Sequence, residues 1–231
     1  MMKNRLSYRS IALASLAAAL FLAAAPHSVC AAENKATPAL AEFEKVFAGI
    51  NDYQFGIVTH ETTDDGKSVE DRVYVFRWRK PSDAQIMVLQ GRDKGGAATW
   101  HGGDTVSGHH GGFLSGIHLT KSIHDRDTTS LRGDILISDA YDVIIKHFTE
   151  TPGTLSEAPG PAIDGQATTA VTFVVADPKS NANVSKDVVF FSNASHLPLG
   201  RDQYVGTTLV KTERFKDIKT NIGLKDSDFR G

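Results

Sequence analysis

Cysteine is almost absent from this sequence, since Cys30 is the single example in 231 residues. Cys30 lies at the end of a segment that we expect to be removed, so the mature chain should contain no thiol. Without thiols the protein cannot form disulfides, use a cysteine nucleophile or bind a metal through thiolates. A Walker loop and a dinucleotide-binding fingerprint are also missing, and in residues 112–116 the serine is one place away from the G-x-S-x-G spacing. We therefore expect neither an enzyme nor a bound cofactor.

Long apolar runs are equally scarce, and only residues 11–25 form one. Three basic residues precede this run, and Pro26 and the small residues Ala31 and Ala32 follow it. At about 15 residues, the run is shorter than the roughly 20 that a spanning helix needs. Residues 1–32 are therefore interpreted as a cleaved secretory signal, and residues 33–231 as a single domain in the periplasm.

Basic residues are too few for a general nucleic-acid binder. The first 32 residues hold three of the 25 basic residues and none of the 27 acidic ones, which leaves 22 against 27 and a net charge of −5. Affinity for nucleic acid depends on clustered Lys and Arg that neutralise phosphates. The sequence therefore predicts no nucleic-acid partner.

Three aromatic residues alternate along one predicted strand, residues 73–79. With a period of two, Tyr74, Phe76 and Trp78 lie on one face of this strand, while Arg77 and Arg79 lie on the other. A second apolar run follows at residues 86–90, and after a glycine-containing turn a third strand begins at Ala97. This aromatic stripe is the strongest signal in the sequence.

Two amphipathic helices are predicted. Pro38 opens the first, in which an apolar stripe recurs at helical spacing: Leu40, Phe43, Val46, Phe47 and Ile50. Ser138 and Asp139 are candidate caps for the second, whose apolar stripe continues to Thr149. Each helix is interpreted as a cover for the hydrophobic core.

The remaining segments predict an antiparallel sheet with irregular connections. Residues 53–62, 166–176, 186–191 and 202–215 alternate as strands, whereas residues 101–118 indicate a mobile loop or a short broken strand. Residues 151–161 have the composition of a surface linker. The predicted fold class is mainly β (α+β), with a curved antiparallel sheet of eight to eleven strands and two covering helices.

Histidine is unevenly distributed, because five of the nine fall within 24 residues: His101, His109, His110, His118 and His124. Imidazole is a common metal ligand, and the surrounding glycines would let the backbone fold over an ion. A metal site at His101, His109 and His110, in a secreted metal-binding or stress-response protein that uses the loop 101–124, is therefore an alternative hypothesis. An exposed polar loop is the other interpretation.

Short motifs recur here in the order found in one known family. They are Arg79-Lys80-Pro81, Val88-Leu89-Gln90-Gly91, Trp100, Leu197-Pro198 and the closing residues Asn221, Leu224, Asp226 and Phe229. In this order the chain resembles the LolA/LolB-like superfamily of periplasmic lipoprotein-sorting carriers, in particular its secreted members. The resemblance implies an incomplete β-barrel whose concave face receives acyl chains beneath the covering helices.

We accordingly predict a periplasmic carrier or chaperone for a lipoprotein, a lipid or another apolar ligand. The predicted ligand-binding residues are Tyr74, Phe76, Trp78, Ile86, Val88 and Trp100, with Arg77 and Arg79 as candidates for holding a polar head group. The same aromatic residues could instead fill a packed core. The expected partners are acyl chains and a membrane-bound protein that loads or receives them, and the chain should be a monomer. A hydrolase with an unrecognised site is a third hypothesis.

Overall fold

A computed structural model describes residues 36–230, so the predicted signal at residues 1–32 lies outside the described residues. The described chain is mainly β, with eleven strands and two α-helices. The helices are α1 (Pro38–Ala48) and α2 (Tyr141–Glu150). The strands are β1 (Asp52–Thr62), β2 (Val69–Arg79), β3 (Asp83–Gln90), β4 (Ala97–Trp100), β5 (Thr105–His109), β6 (His118–Ser122), β7 (Gly153–Pro159), β8 (Thr168–Val175), β9 (Lys186–Ser192), β10 (Pro198–Val205) and β11 (Thr208–Thr220).

All eleven strands form one antiparallel sheet in the order β6-β5-β4-β3-β2-β1-β11-β10-β9-β8-β7. Strands β1 to β6 and strands β7 to β11 are two consecutive meanders, and the pairing of β1 with β11 joins them, with Ile57 opposite Phe215. Strands β6 and β7 occupy the two edges, so the sheet stays open. The predicted incomplete barrel is confirmed, and the strand number is the upper limit of the predicted range.

Helix α1 begins where the sequence predicts. The Thr37 hydroxyl accepts a hydrogen bond from the Leu40 amide at 3.4 Å, and Pro38 occupies the first turn, where its missing N–H costs nothing. Leu40 and Phe43 are fully buried against the sheet. The Phe43 ring lies 5.1 Å from Phe191, which ties the helix to β9.

Helix α2 is positioned by an aromatic contact rather than by the predicted caps. The Tyr141 amide donates a hydrogen bond to the Tyr53 hydroxyl at 2.9 Å, and the two rings stack with centroids 4.1 Å apart. Ala140 occupies the N-cap position and contributes no side-chain cap. Ser138 and Asp139 therefore do not cap this helix, and Asp139 is used elsewhere in the fold.

One segment differs from the predictions, and a second agrees with one of its two predicted alternatives, a short broken strand. Residues 151–161, predicted to be a linker, contain β7, an exposed edge strand whose polar side chains hide the period-two pattern. Residues 101–118 contain β5 and a 3₁₀ turn (Gly112–Leu114) and lead into β6 at the other edge, where few side chains are buried. Within residues 36–230, neither helix is long and apolar enough to cross a membrane.

Candidate functional site

A cavity of about 140 Å³ lies between strands β2–β6 and the connection from β6 to α2. We call this connection, residues 123–140, the roof segment. On the sheet side the cavity has an apolar wall, formed by Tyr74, Ile86, Val88, Ala98, Val106 and Leu119, and the same strands also contribute charged side chains, among them Arg72 and Lys121. Ile135 and Leu136 of the roof segment face the apolar wall. The cavity therefore has an apolar middle enclosed by two different parts of the chain.

Three of the predicted ligand-binding residues, Tyr74, Ile86 and Val88, line this cavity. The register of β2 and β3 brings them together, because Tyr74 pairs with Val88 and Phe76 with Ile86. Side chains at paired positions of antiparallel strands emerge on the same face. The inner face of the sheet, which packs against the helices, is thus the face that carries the cavity.

Phe76 and Trp78 continue the same stripe but lie in the packed core. Phe76 is fully buried, with its ring 5.3 Å from Phe55. Trp78 is 3% exposed, and its ring lies 5.2 Å from Tyr53 and 5.6 Å from Phe47. Phe76 and Trp78, toward the end of β2 that packs against α1, therefore fill the core. Of the three aromatic residues in the stripe, only Tyr74 lines the cavity.

Trp100 also lies outside the residues that line the cavity. It pairs with Ala84 on one side and Val106 on the other, and its indole N–H donates to the Gly103 carbonyl at 2.8 Å. It is partly buried and packs against the hydrophobic core. Its position closes the end of β4 and supports the turn to β5.

Arg77 and Arg79 project from the outer face, opposite the cavity. Arg77 donates to the Gln54 side chain at 2.7 Å and to the Asp228 carbonyl at 3.1 Å. Arg79 pairs with Asp83 and lies 2.8 Å from the Asp226 carboxylate. These contacts hold the C-terminal segment against the outer face, so neither arginine is at the rim of the cavity.

At one end the cavity is bounded by charged and largely buried side chains: Glu61, Asp134, Asp139 and Lys211. We call this part of the cavity the inner end. The Lys211 ammonium is 2% exposed and lies 2.7 Å from both Asp134 and Glu213, and 3.6 Å from Glu61. Cross-strand pairing places it there, because Lys211 on β11 is opposite Glu61 on β1. Asp139 adds a further carboxylate, which accepts a hydrogen bond from the Tyr74 hydroxyl at 3.0 Å.

Burial and charge act together on the pKa values of this cluster. Burial alone would lower the pKa of Lys211, but the surrounding carboxylates, Asp134 first, raise it well above its ordinary value. Burial would raise the pKa of Asp134, but the charge of Lys211 outweighs it and lowers that pKa. Burial, followed by repulsion from Asp139, raises the pKa of Glu213 well above its ordinary value. Lys211 is thus the cation that organises the inner end.

Ion pairs and hydrogen bonds tie the roof segment to the sheet along its whole length. Near the start of the segment, Lys121 at the end of β6 pairs with Asp127, and Arg92 donates to the Thr129 carbonyl at 3.0 Å. In its middle, Arg132 donates to the Thr62 carbonyl at 2.8 Å. The roof segment is therefore held by polar contacts, although it covers an apolar cavity.

The histidines predicted as metal ligands make separate contacts. His101 Nδ1 lies 2.7 Å from Asp83, and His110 Nδ1 lies 3.0 Å from Asp93. His109 Nδ1 lies 3.0 Å from the His110 carbonyl, and His109 and His110 line the mouth of the apolar cavity. Among residues 36–230, no three His, Cys, Asp or Glu side chains are grouped so that they could hold a metal ion. The structure does not bring these histidines together as a metal site.

A second cavity, of about 160 Å³, lies on the far side of Asp134, which lines both cavities. Its walls are more polar and include Arg132 and Arg201. Arg201 donates to the Asp187 carboxylate at 3.0 Å, and although burial favours the neutral acid, this cation lowers the pKa of Asp187. Arg201 at the wall of the second cavity therefore already has a buried anionic partner.

Sequence reasoning missed the roof segment and the inner charged end. Residues 121–136 have no hydrophobic period, so nothing in the local pattern indicates that Leu136 is 4% exposed. Glu61, Lys211 and Glu213 occupy the inner-facing positions of their strands, where alternation predicts apolar residues. Charged residues at such positions are the one local signal that could have identified the inner end.

No family model matches this sequence, and no curated protein matches it significantly. Solved structures do match it. An uncharacterised conserved protein from Thermus thermophilus is 8% identical with a TM-score of 0.52, and the match covers 83% of this chain and 90% of that protein. At this identity, the likeness is one of fold alone.

Two further matches have lower TM-scores. A LolA superfamily protein from Nitrosomonas europaea is 13% identical with a TM-score of 0.40, over 85% of this chain and 99% of that one. The lipoprotein LppX of Mycobacterium tuberculosis is 16% identical with a TM-score of 0.48, over 81% and 97%. The chain is thus similar to these two proteins over most of its length, at low sequence identity.

Proposed function

We propose that this protein is a non-enzymatic carrier or chaperone that binds an apolar ligand in the cavity beneath the roof segment. The observation that supports the proposal is the cavity itself, whose apolar sheet wall includes Tyr74, Ile86 and Val88. Ligand sites in proteins are concave and combine an apolar lining with a few polar groups, and this cavity has both features.

The physical driving force is the removal of hydrocarbon from water, at about 0.8 kcal/mol for each buried methylene. The cavity volume of about 140 Å³ limits how much can be buried. It is close to the ~150 Å³ of an apolar cavity that binds benzene. One short acyl segment therefore fits, and a longer chain must emerge at the mouth or displace the roof segment.

The proposal also assigns the protein a compartment, the periplasm, and a membrane-bound partner. A secretory signal at residues 1–32 would deliver the protein to the periplasm, where the ligand would be a lipid or the acyl chain of a lipoprotein. A membrane-bound protein would load or receive that ligand. The likeness in fold to a LolA superfamily protein is compatible with this role, but the proposal depends on the cavity.

The test is native mass spectrometry of the protein purified from its own host, together with uptake of an uncharged fluorescent lipid. Val88→Trp would fill the cavity from its sheet wall, whereas Leu89→Trp adds the same side chain at a position that is 49% exposed. We expect a bound lipid or probe uptake in the native protein and in Leu89→Trp, and a loss of at least tenfold in Val88→Trp. If no lipid is present and no probe is taken up, the carrier function is wrong.

The metal-binding alternative has no comparable support. His101 and His110 each contact a different carboxylate, Asp83 and Asp93. Zinc requires four ligands that converge on one point. His101 and His110, each held by a different carboxylate, do not converge in this way.

A further inference from the structure

The inner end of the apolar cavity has more carboxylates than its cations can pair. Glu61, Asp134 and Asp139 line this end, and the Glu213 carboxylate lies 2.7 Å from the Lys211 ammonium. Lys211 is the one ammonium among them, and its closest contacts are with Asp134 and Glu213. Asp139 is therefore left without a cation in contact within the described part of the chain.

Asp139 has one oxygen that the described residues leave without a donor. The residue is 5% exposed, and its Oδ2 accepts from the Tyr74 hydroxyl at 3.0 Å. Its Oδ1 is shielded from solvent and accepts no hydrogen bond from residues 36–230. A buried carboxylate oxygen without a donor is costly, and a donor supplied by a ligand removes that cost.

We propose that the ligand of this cavity carries a hydrogen-bond donor, a hydroxyl or an ammonium group, at its inner end, and that Asp139 Oδ1 accepts it. This inference rests on the proposed function, because it concerns the polar end of the same ligand, and it favours a free lipid over the acyl chain of a lipoprotein, whose buried end would be a methyl group. A carboxylate at that end is disfavoured for two reasons: it offers no donor, and it brings a negative charge close to Glu61, Asp134 and Asp139. The site thus selects alcohols or amines over fatty acids of equal length.

Ligands that share a six-carbon chain and differ only in their polar group test which group the site prefers. A chain of this length suits the size of the cavity. We would titrate the isotopically labelled protein with 1-hexanol, hexylamine, hexanoate and hexyl methyl ether and measure each affinity from the NMR shifts of the Ile86 and Val88 methyl groups. 1-Hexanol and hexylamine are expected to bind at least tenfold more tightly than hexanoate. The ether lacks both a charge and a donor, so it should bind several-fold more weakly than 1-hexanol.

Asp139→Asn is the matched variant, because it places an amide donor where the carboxylate oxygen accepts. It should lower the affinity for hexylamine at least tenfold and raise that for hexanoate. Asp71→Asn is the control, since Asp71 has a side chain that is 75% exposed and pairs with His60 away from the cavity. In that variant all four affinities should equal those of the native protein.

The titrations distinguish failure of the donor requirement from failure of the proposed function. If the native protein binds hexanoate or the ether as tightly as 1-hexanol, the donor requirement is wrong and the carrier function is unaffected. If none of the four compounds shifts the Ile86 and Val88 methyl signals, the proposed function is wrong, and this inference fails with it.

Discussion

Lys211 on the last strand and Asp134 on the roof segment form an ion pair of 2.7 Å, with the Lys211 side chain 2% exposed. This contact joins parts of the chain that are 77 residues apart. It lies between the two cavities, because Asp134 lines both. The pair therefore fixes the roof segment at the point where the apolar cavity ends.

Lys211→Met should strongly destabilise the protein. The substitution leaves Asp134, Glu61 and Glu213 without their buried cation, and loss of one partner from a buried pair costs about 3–5 kcal/mol. Urea unfolding followed by circular dichroism measures the free energy of unfolding. Lys45→Met is the control, because Lys45 has a 78% exposed side chain, and it should change stability by less than about 0.5 kcal/mol. Equal effects of the two substitutions would contradict the role of Lys211.

Glu213 should make stability depend on pH in a defined direction. Its pKa in the folded protein is raised by burial above the ordinary value of 4.5, so the folded state binds this proton more tightly than the unfolded state. The resulting stabilisation is fully present below about pH 4.5 and is lost as the pH rises through the folded pKa. Glu213→Gln removes this dependence, so its stability relative to the native protein should increase from pH 4 to pH 8.

Unfolding at pH 4, 6 and 8 checks this prediction, with Glu42→Gln on the exposed side of α1 as the control. A stability difference between Glu213→Gln and the native protein that stays constant with pH would show that the folded pKa of Glu213 is not raised.

Trp78→Ala should destabilise the core without removing the cavity wall. The Trp78 ring packs on Tyr53 and Phe47, and truncation of a buried aromatic side chain costs about 3–5 kcal/mol. Under conditions where the variant remains folded, its affinity for 1-hexanol should stay within about twofold of the native value, because Trp78 does not line the cavity. A tenfold loss of affinity in folded Trp78→Ala would place this residue in the ligand site after all.

Arg79→Ala should affect the C-terminal segment and not the ligand. Arg79 pairs with Asp83 and Asp226 on the outer face, and its guanidinium lies 5.0 Å from the centre of the Phe229 ring. We expect a stability loss of about 1–2 kcal/mol and faster amide exchange near Phe229. Ligand affinity should not change. A weaker affinity for 1-hexanol in this variant would restore the head-group role that the sequence suggested.

Much of the fold follows from local patterns in the sequence. The stripe of Tyr74, Phe76 and Trp78 occupies one face of β2, and α1 begins at Pro38, because hydrophobic period and turn chemistry are local properties. For edge strand β7 the Pro- and Gly-rich composition of residues 151–161 predicts a linker, because the strand has only one apolar side chain, Leu155, packed against the core. Local pattern fails where a strand has so small a buried face.

Only part of the candidate site could be predicted from the sequence, because the rest depends on contacts between distant segments of the chain. Tyr74, Ile86 and Val88 were identified because they alternate in neighbouring strands. Whether a residue on that face meets a helix or a cavity depends on residues far away in sequence: Trp78 meets Phe47 of α1, whereas Tyr74 meets Asp139 of the roof segment. The charged inner end depends on the pairing of β1 with β11, and no local period encodes that pairing.

The most direct test of the central claim is the location of a bound ligand. Intermolecular nuclear Overhauser effects between 1-hexanol and the protein's methyl groups would report which side chains the alkyl chain contacts. The proposed function predicts contacts with the methyl groups of Ile86 and Val88 and none with Val58, which is 43% exposed on the outer face. Contacts that leave out Ile86 and Val88, or no contacts at saturating 1-hexanol, would contradict it.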